Sequence, residues 1–261
     1  MKLITATLVA VSGFGLSAAP LAHAADDSFV GKWKLNPDKS QFSGLVYKVE
    51  EAGSNQYKFI FGDDVETITL GKDHLTKFGN TWLITKSGAN GWKWTQKRNG
   101  KITSDATWTV SEDGATSTYV STETRPDGST SHDETKLKRT AGSAGLAGTW
   151  ESTEIKVGSP VTIEMAKWQG DGYAIKNPTS QSETNFKLDG KDYTPKGPRV
   201  AKGTTVSAKA IDDHNIELAY KLKGKTTETD RWELSADGQT LTSTVNYPGE
   251  SKPEVDVYDR Q

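Results

Sequence analysis

Eight tryptophans and eight tyrosines are the side chains of this 261-residue chain best suited to recognition, because aromatic faces offer large apolar contact and stack on sugars or lipid chains. Trp92 and Trp94 lie two apart and share one face of any strand that holds them, with Trp82 and Trp108 on strand-like segments nearby. Together with Tyr57 and Tyr258 they form the candidate ligand-binding set. The alternative role for these residues is to build the first core. The second half of the chain has smaller groups such as Leu218 and Tyr220 in place of most of them and keeps Trp108 as Trp232. A specific aromatic pocket is therefore expected in the first half.

Catalytic groups leave no comparable signal. There is no Gly-x-Ser-x-Gly, no phosphate-cradling Gly-Lys-Ser/Thr loop and no cysteine, so the expected activity is non-catalytic, although paired carboxylates distant in sequence would leave no motif. His74, His132 and His214 sit apart in polar, turn-like stretches without the short paired spacing of a zinc site. Acidic turns such as Pro126-Asp127-Gly128-Ser129 lack the ligand spacing of a calcium loop. The residues therefore imply neither a metal nor a cofactor.

The chain opens with Met1-Lys2, an apolar run from Leu3 to Val11 and a closing Ala22-His23-Ala24. That is the pattern of a cleavable signal peptide over 1–24, too short and broken to span a bilayer. A periplasmic or secreted protein with no membrane span is expected, without a lipid-modified cysteine or a disulfide framework. Without residues 1–24, 31 basic side chains face 34 acidic ones and no basic run occurs, which argues against a nucleic-acid partner.

An internal repeat organises the remainder. Phe29-Val30-Gly31-Lys32-Trp33 matches Leu146-Ala147-Gly148-Thr149-Trp150, and Asp105 to Gly114 matches Thr229 to Gly238, both ending in Trp-x-apolar-Ser-x-Asp-Gly. The small-residue stretch Thr140 to Gly145 reads as a linker, giving domains at 25–139 and 146–261 with a period of about 117 residues, a domain duplication. Within each half, short β-branched and aromatic runs alternate with Asn-Gly and Asp-Gly pairs at hairpin spacing, such as Asn99-Gly100, Asp113-Gly114 and Asp237-Gly238. No sustained helical period occurs. The prediction is an all-β chain of two tandem antiparallel meander β-barrels, closure being favoured over an open curved sheet because it removes exposed edges.

The opening Phe29-Val30-Gly31-Lys32-Trp33-Lys34-Leu35 resembles the first strand of the lipocalin and fatty-acid-binding superfamily, so the barrels are lipocalin-like, or calycin-like. The longer pattern Gly31-Lys32-Trp33-Lys34-Leu35-Asn36-Pro37-Asp38-Lys39-Ser40, with the tail Val257-Tyr258-Asp259-Arg260-Gln261, is similar to an uncharacterised family of secreted bacterial proteins. The superfamily resemblance implies that Trp33 and Trp150 are structural and pack across a closed barrel end. It also implies an Arg-x-Tyr carboxylate clamp in the last strand, but Asp256-Val257-Tyr258 places an acid where the arginine belongs, which would repel a carboxylate. The leading expectation is a small apolar or amphipathic ligand held in a barrel. The rival is a cell-envelope structural or interaction module without a pocket, favoured by the low hydrophobic content of 33% and by the avidity that duplication gives toward an envelope protein partner.

Overall fold

The computed structural model describes residues 27–142 and 145–261; the leader reading over 1–24 lies outside them, as do linker residues 143 and 144. After a 3-10 turn at Asp27–Phe29 the first half forms β1 (Gly31–Leu35), β2 (Val46–Gly53), β3 (Gln56–Phe61), β4 (Asp64–Thr69), β5 (His74–Leu75), β6 (Thr81–Lys86), β7 (Gly91–Arg98), β8 (Lys101–Val110), β9 (Thr116–Thr124) and β10 (Thr130–Ala141). The second half forms β11 (Gly148–Lys156), β12 (Thr162–Trp168), β13 (Gly172–Asn177), β14 (Ser182–Lys187), β15 (Thr204–Asp212), β16 (Asn215–Leu222), β17 (Lys225–Leu234), β18 (Thr240–Asn246) and β19 (Glu254–Arg260). No α-helix occurs among the described residues.

Local sequence explains the strands and their turns. In β8 the buried Ala106, Trp108 and Val110 alternate with exposed Thr107 and Thr109, the period-two pattern of a strand with one face on a core. The matched Ser-x-Asp-Gly turns are built alike in both repeats. Asp113 accepts hydrogen bonds from the Ser111 hydroxyl (2.6 Å) and the Ala115 amide (3.0 Å), and Asp237 accepts them from Ser235 (2.6 Å) and Gln239 (3.0 Å). The serine hydroxyls, then the backbone amides, hold both carboxyls below the usual carboxylate range.

The strands form two nearly closed antiparallel barrel-like sheets, one of nine strands and one of ten. Their membership does not follow the repeat boundary at 140–145, because the two repeats exchange their first strands. β1 lies between β12 and β19 in the nine-stranded sheet, and β11 lies between β2 and β10 in the ten-stranded sheet. Barrel B is thus the continuous stretch β2 to β11, a circular permutation of the repeat. Barrel A is β1 joined to β12 to β19, with barrel B inserted after its first strand.

The two seams close differently. In barrel A the segment between β14 and β15 adds backbone bridges, Glu183 with Lys196 and Tyr193 with Val206. In barrel B side chains cross the seam between β4 and β5: His74 Nε2 to Glu66 Oε2 at 2.7 Å, and Lys77 to Asp64.

The motif tryptophans mark one end of each barrel, and the opposite ends face each other. The links between the barrels run from the turns and strand ends of one mouth to those of the other. Arg98, at the end of β7, donates to Pro198 O (3.1 Å) and Val200 O (3.1 Å). Arg199 donates to Glu123 and to Thr124 O at the end of β9. Asp63 N donates to Pro248 O (3.2 Å), and Glu250 accepts from the amides of Gly62 (2.8 Å) and Val46 (3.2 Å). A small apolar cluster of Leu45, Phe61, Val245 and Tyr247 seals the junction.

Two outcomes follow. Cleaving the backbone between Gly142 and Gly145 should leave the two pieces in one particle on native gel filtration, because each barrel holds a strand of the other piece, and denaturant should be needed to part them. The depressed carboxyls of Asp113 and Asp237 contribute stability that is present above their unfolded value, about pH 4, and is lost as pH falls through the folded values. Urea unfolding of a double Asp113→Asn, Asp237→Asn variant should therefore show a shallower loss of stability on acidification than the wild type.

Candidate functional site

At the closed end of each barrel the same three residues meet. Trp33 is fully buried and its indole nitrogen donates to Phe29 O (3.0 Å), while the Arg260 guanidinium lies 4.3 Å from its ring centroid. Trp150 repeats this with Leu146 O (3.0 Å) and Arg139 at 4.0 Å. Each arginine also ties loops together through backbone carbonyls. Arg139 reaches Gly114, Gly145 (2.7 Å) and Ala147; Arg260 reaches Gly238, Ser28 and Val30 (2.8 Å). The motif glycine makes room for this: a Cβ on Gly31 would stand 2.7 Å from Arg260 Nη1, and one on Gly148 2.5 Å from Arg139 Nη1, with both glycines at positive φ. Trp33 and Trp150 thus sit fully buried beneath an arginine at the barrel end. The arginines were missed in the sequence, where the available signal was an arginine some 20 to 25 residues after each Ser-x-Asp-Gly turn.

The aromatic candidates of the first half come together inside barrel B. Trp94 packs edge-on against Trp82 (4.9 Å between centroids), Phe59 (5.2 Å) and Tyr119 (6.3 Å), and Trp108 packs against Tyr119 (6.0 Å) and Trp150 (6.2 Å). Trp92 stands opposite Trp108 across the β7–β8 ladder and is equally buried. Tyr57 packs at the margin of this core. Tyr258 belongs to the core of barrel A instead, where its hydroxyl donates to Asp256 (3.2 Å). The void among Tyr47, Phe59, Trp82, Trp94 and Trp108 measures about 20 Å³, room for one water molecule. The indole nitrogens of Trp92, Trp94 and Trp108 make no hydrogen bond, so these rings serve the core through shape and apolar area.

Larger space lies where the two mouths meet. A cleft of about 360 Å³ is walled on the barrel B side by Thr76, Phe78, Asn80, Trp82, Gln96 and Arg98 and on the barrel A side by Thr184, Arg199, Val200, Ala201, Tyr220 and Leu222. Of the aromatic candidates named from sequence, only Trp82 reaches it. The Trp82 indole is held by Gln96 Oε1 (3.0 Å), which is anchored in turn on Thr103 (3.3 Å). Against the junction cluster of Leu45, Phe61, Val245 and Tyr247, the Tyr47 hydroxyl is pushed above the ordinary tyrosine range, first by burial and then by the carboxylates of Glu254 and Glu250. Burial likewise raises the Glu250 carboxyl against the opposing pull of its two amide donors.

Among the described residues no group of three or more histidine, cysteine or acidic side chains is arranged to hold a metal ion, and no helix is long and apolar enough to cross a membrane. His74 bonds Glu66, and His132 Nδ1 lies 3.0 Å from the Thr122 hydroxyl. No family model matches the chain, and no curated protein matches its sequence.

Replacing Arg139 or Arg260 by methionine should remove three charge-assisted bonds to carbonyls and the contact with the motif tryptophan. A loss of about 3 kcal/mol is expected for either variant by urea unfolding. Gly148→Ala should also destabilise, since the new Cβ meets both Arg139 and the Ala141 carbonyl.

Proposed function

We propose that this chain is an exported, non-catalytic binding protein that holds a small apolar or amphipathic molecule in the cleft between its two barrel mouths. The observation that carries this reading is the cleft itself, about 360 Å³ with Phe78, Trp82, Tyr220 and Leu222 on its walls beside Thr76, Asn80 and Gln96. Sites for small molecules begin at roughly 300 Å³ and combine apolar walls with a few fixed polar groups. The filled core of barrel B supports a site between the barrels over one within it. Export rests on the leader-like residues 1–24, and the resemblance of Gly31-Lys32-Trp33 to lipocalin openings agrees with a carrier role.

Native mass spectrometry of the whole protein, gently purified from its own host, tests the reading. A reproducible added mass that denaturation releases is expected. An Ala201→Trp variant, which fills the cleft from its barrel A wall, should lose that mass while keeping its thermal midpoint. A wild type that carries nothing and binds no amphiphile on titration would end the proposal.

A further inference from the structure

The cleft carries charge as well as apolar surface. Arg98 commits four of the five N–H groups of its guanidinium, all to neutral oxygens: Phe78 O (3.0 Å), Asn80 Oδ1 (2.9 Å), Pro198 O (3.1 Å) and Val200 O (3.1 Å). Those bonds fix its position from both barrels but leave its charge without a carboxylate partner. Arg199 lines the same cleft, held by Glu123 and the Thr124 carbonyl, with further N–H groups left over. Burial first, and then the neighbouring Arg199, hold the Arg98 guanidinium below the usual arginine range. Both guanidiniums line the same cleft, Arg199 with its charge shared by Glu123. Of the lining carboxylates, Asp64 is paired with Lys77, and Glu228 stands opposite Tyr220 on the barrel A wall. A further donor is at hand: Thr76 is buried against the cleft and its hydroxyl has no hydrogen-bond partner.

Resting on the reading of the cleft as a ligand site, we infer that its ligand is an anionic amphiphile, with a carboxylate held by Arg98 and Arg199 and an apolar body lying along Phe78, Trp82, Tyr220 and Leu222. Arg98 has one N–H left to offer and Arg199 three, so a carboxylate can accept a charge-assisted bond from each, and in a partly dry cleft that attraction is stronger than in water. The arginines are fixed before the ligand arrives, so little side-chain ordering accompanies binding. This clamp is unrelated to the last-strand Arg-x-Tyr arrangement, whose arginine position is occupied by Asp256.

Calorimetric titration of the whole protein with decanoate and with decanol, at about pH 7 where the acid is ionised, tests the inference. Decanoate should bind the wild type about tenfold more tightly than decanol, and added sodium chloride should narrow the gap. Arg199→Gln should abolish the preference by lowering decanoate affinity toward that of decanol. Arg98→Gln should do the same, with decanol affinity reporting whether the cleft has kept its shape despite the loss of an inter-barrel tie. Equal affinities in the wild type, or a preference that survives both substitutions, would overturn the charge assignment and leave the cleft as a site for neutral molecules. Binding of neither probe would overturn the underlying cleft reading as well.

Discussion

The pairing of each repeat's first strand with the other repeat's last strand is the constraint on which the rest of the molecule depends. Trp33 stands opposite Arg260, and Trp150 opposite Arg139. Each tryptophan therefore closes a barrel whose other strands all come from the other repeat. The chain must leave barrel A after β1 and return to it before β12, and both crossings pass through the mouth ends. Along the outward path Gln41 bridges to Val255 in barrel A, and Gly44 donates to Ser152 in barrel B (2.8 Å). The two crossings hold the mouths together, and a cleft between them follows from that geometry.

Once the mouths are joined, the two barrels take on different interiors. Barrel B is packed with large rings, and its interior leaves little space. Barrel A has fewer tryptophans in its core and sets Phe29, Tyr173, Phe186 and Tyr258 among Val206, Ile216, Leu218 and Leu241, together with the buried acids Asp230, Glu254 and Asp256. Two of these acids accept hydrogen bonds from tyrosines, Glu254 from Tyr247 (3.2 Å) and Asp256 from Tyr258 (3.2 Å), as buried polar groups require. The aligned position of Asp230 in the other repeat is Ala106, so the duplicated cores diverged in polarity while both kept the tryptophan and arginine plug.

Much of the fold was legible because its signals are local. Period-two alternation and Asp-Gly turns locate strands such as β8 and β17 and the hairpins after them. The Gly-x-Trp repeat locates the closed ends, and the clearance needed by an arginine explains its glycine. The strand exchange was not legible, because β1 and β11 carry the same motif and the same buried face, and nothing local to either specifies which copy it joins. The candidate site was legible only at Trp82. Alternation marks Trp92, Trp94 and Trp108 as inward-facing but does not distinguish a core from a pocket, and here they form the core. The cleft draws on residues from Asp64 to Glu228 that share no motif. It exists only because two loops of ordinary composition meet across the junction.

Disulfide trapping in this cysteine-free chain tests the exchanged arrangement most directly. Lys34 pairs in register with Asp259 of β19, whereas an unexchanged first strand would place Lys34 beside Lys138, the residue that precedes Arg139 as Asp259 precedes Arg260. A Lys34→Cys, Asp259→Cys variant should oxidise readily to a monomeric species whose N- and C-terminal strands are linked, and a Lys34→Cys, Lys138→Cys variant should remain reduced under the same conditions. The opposite result, with ready oxidation of the second pair and none of the first, would contradict the exchange and remove the basis for a cleft between facing mouths.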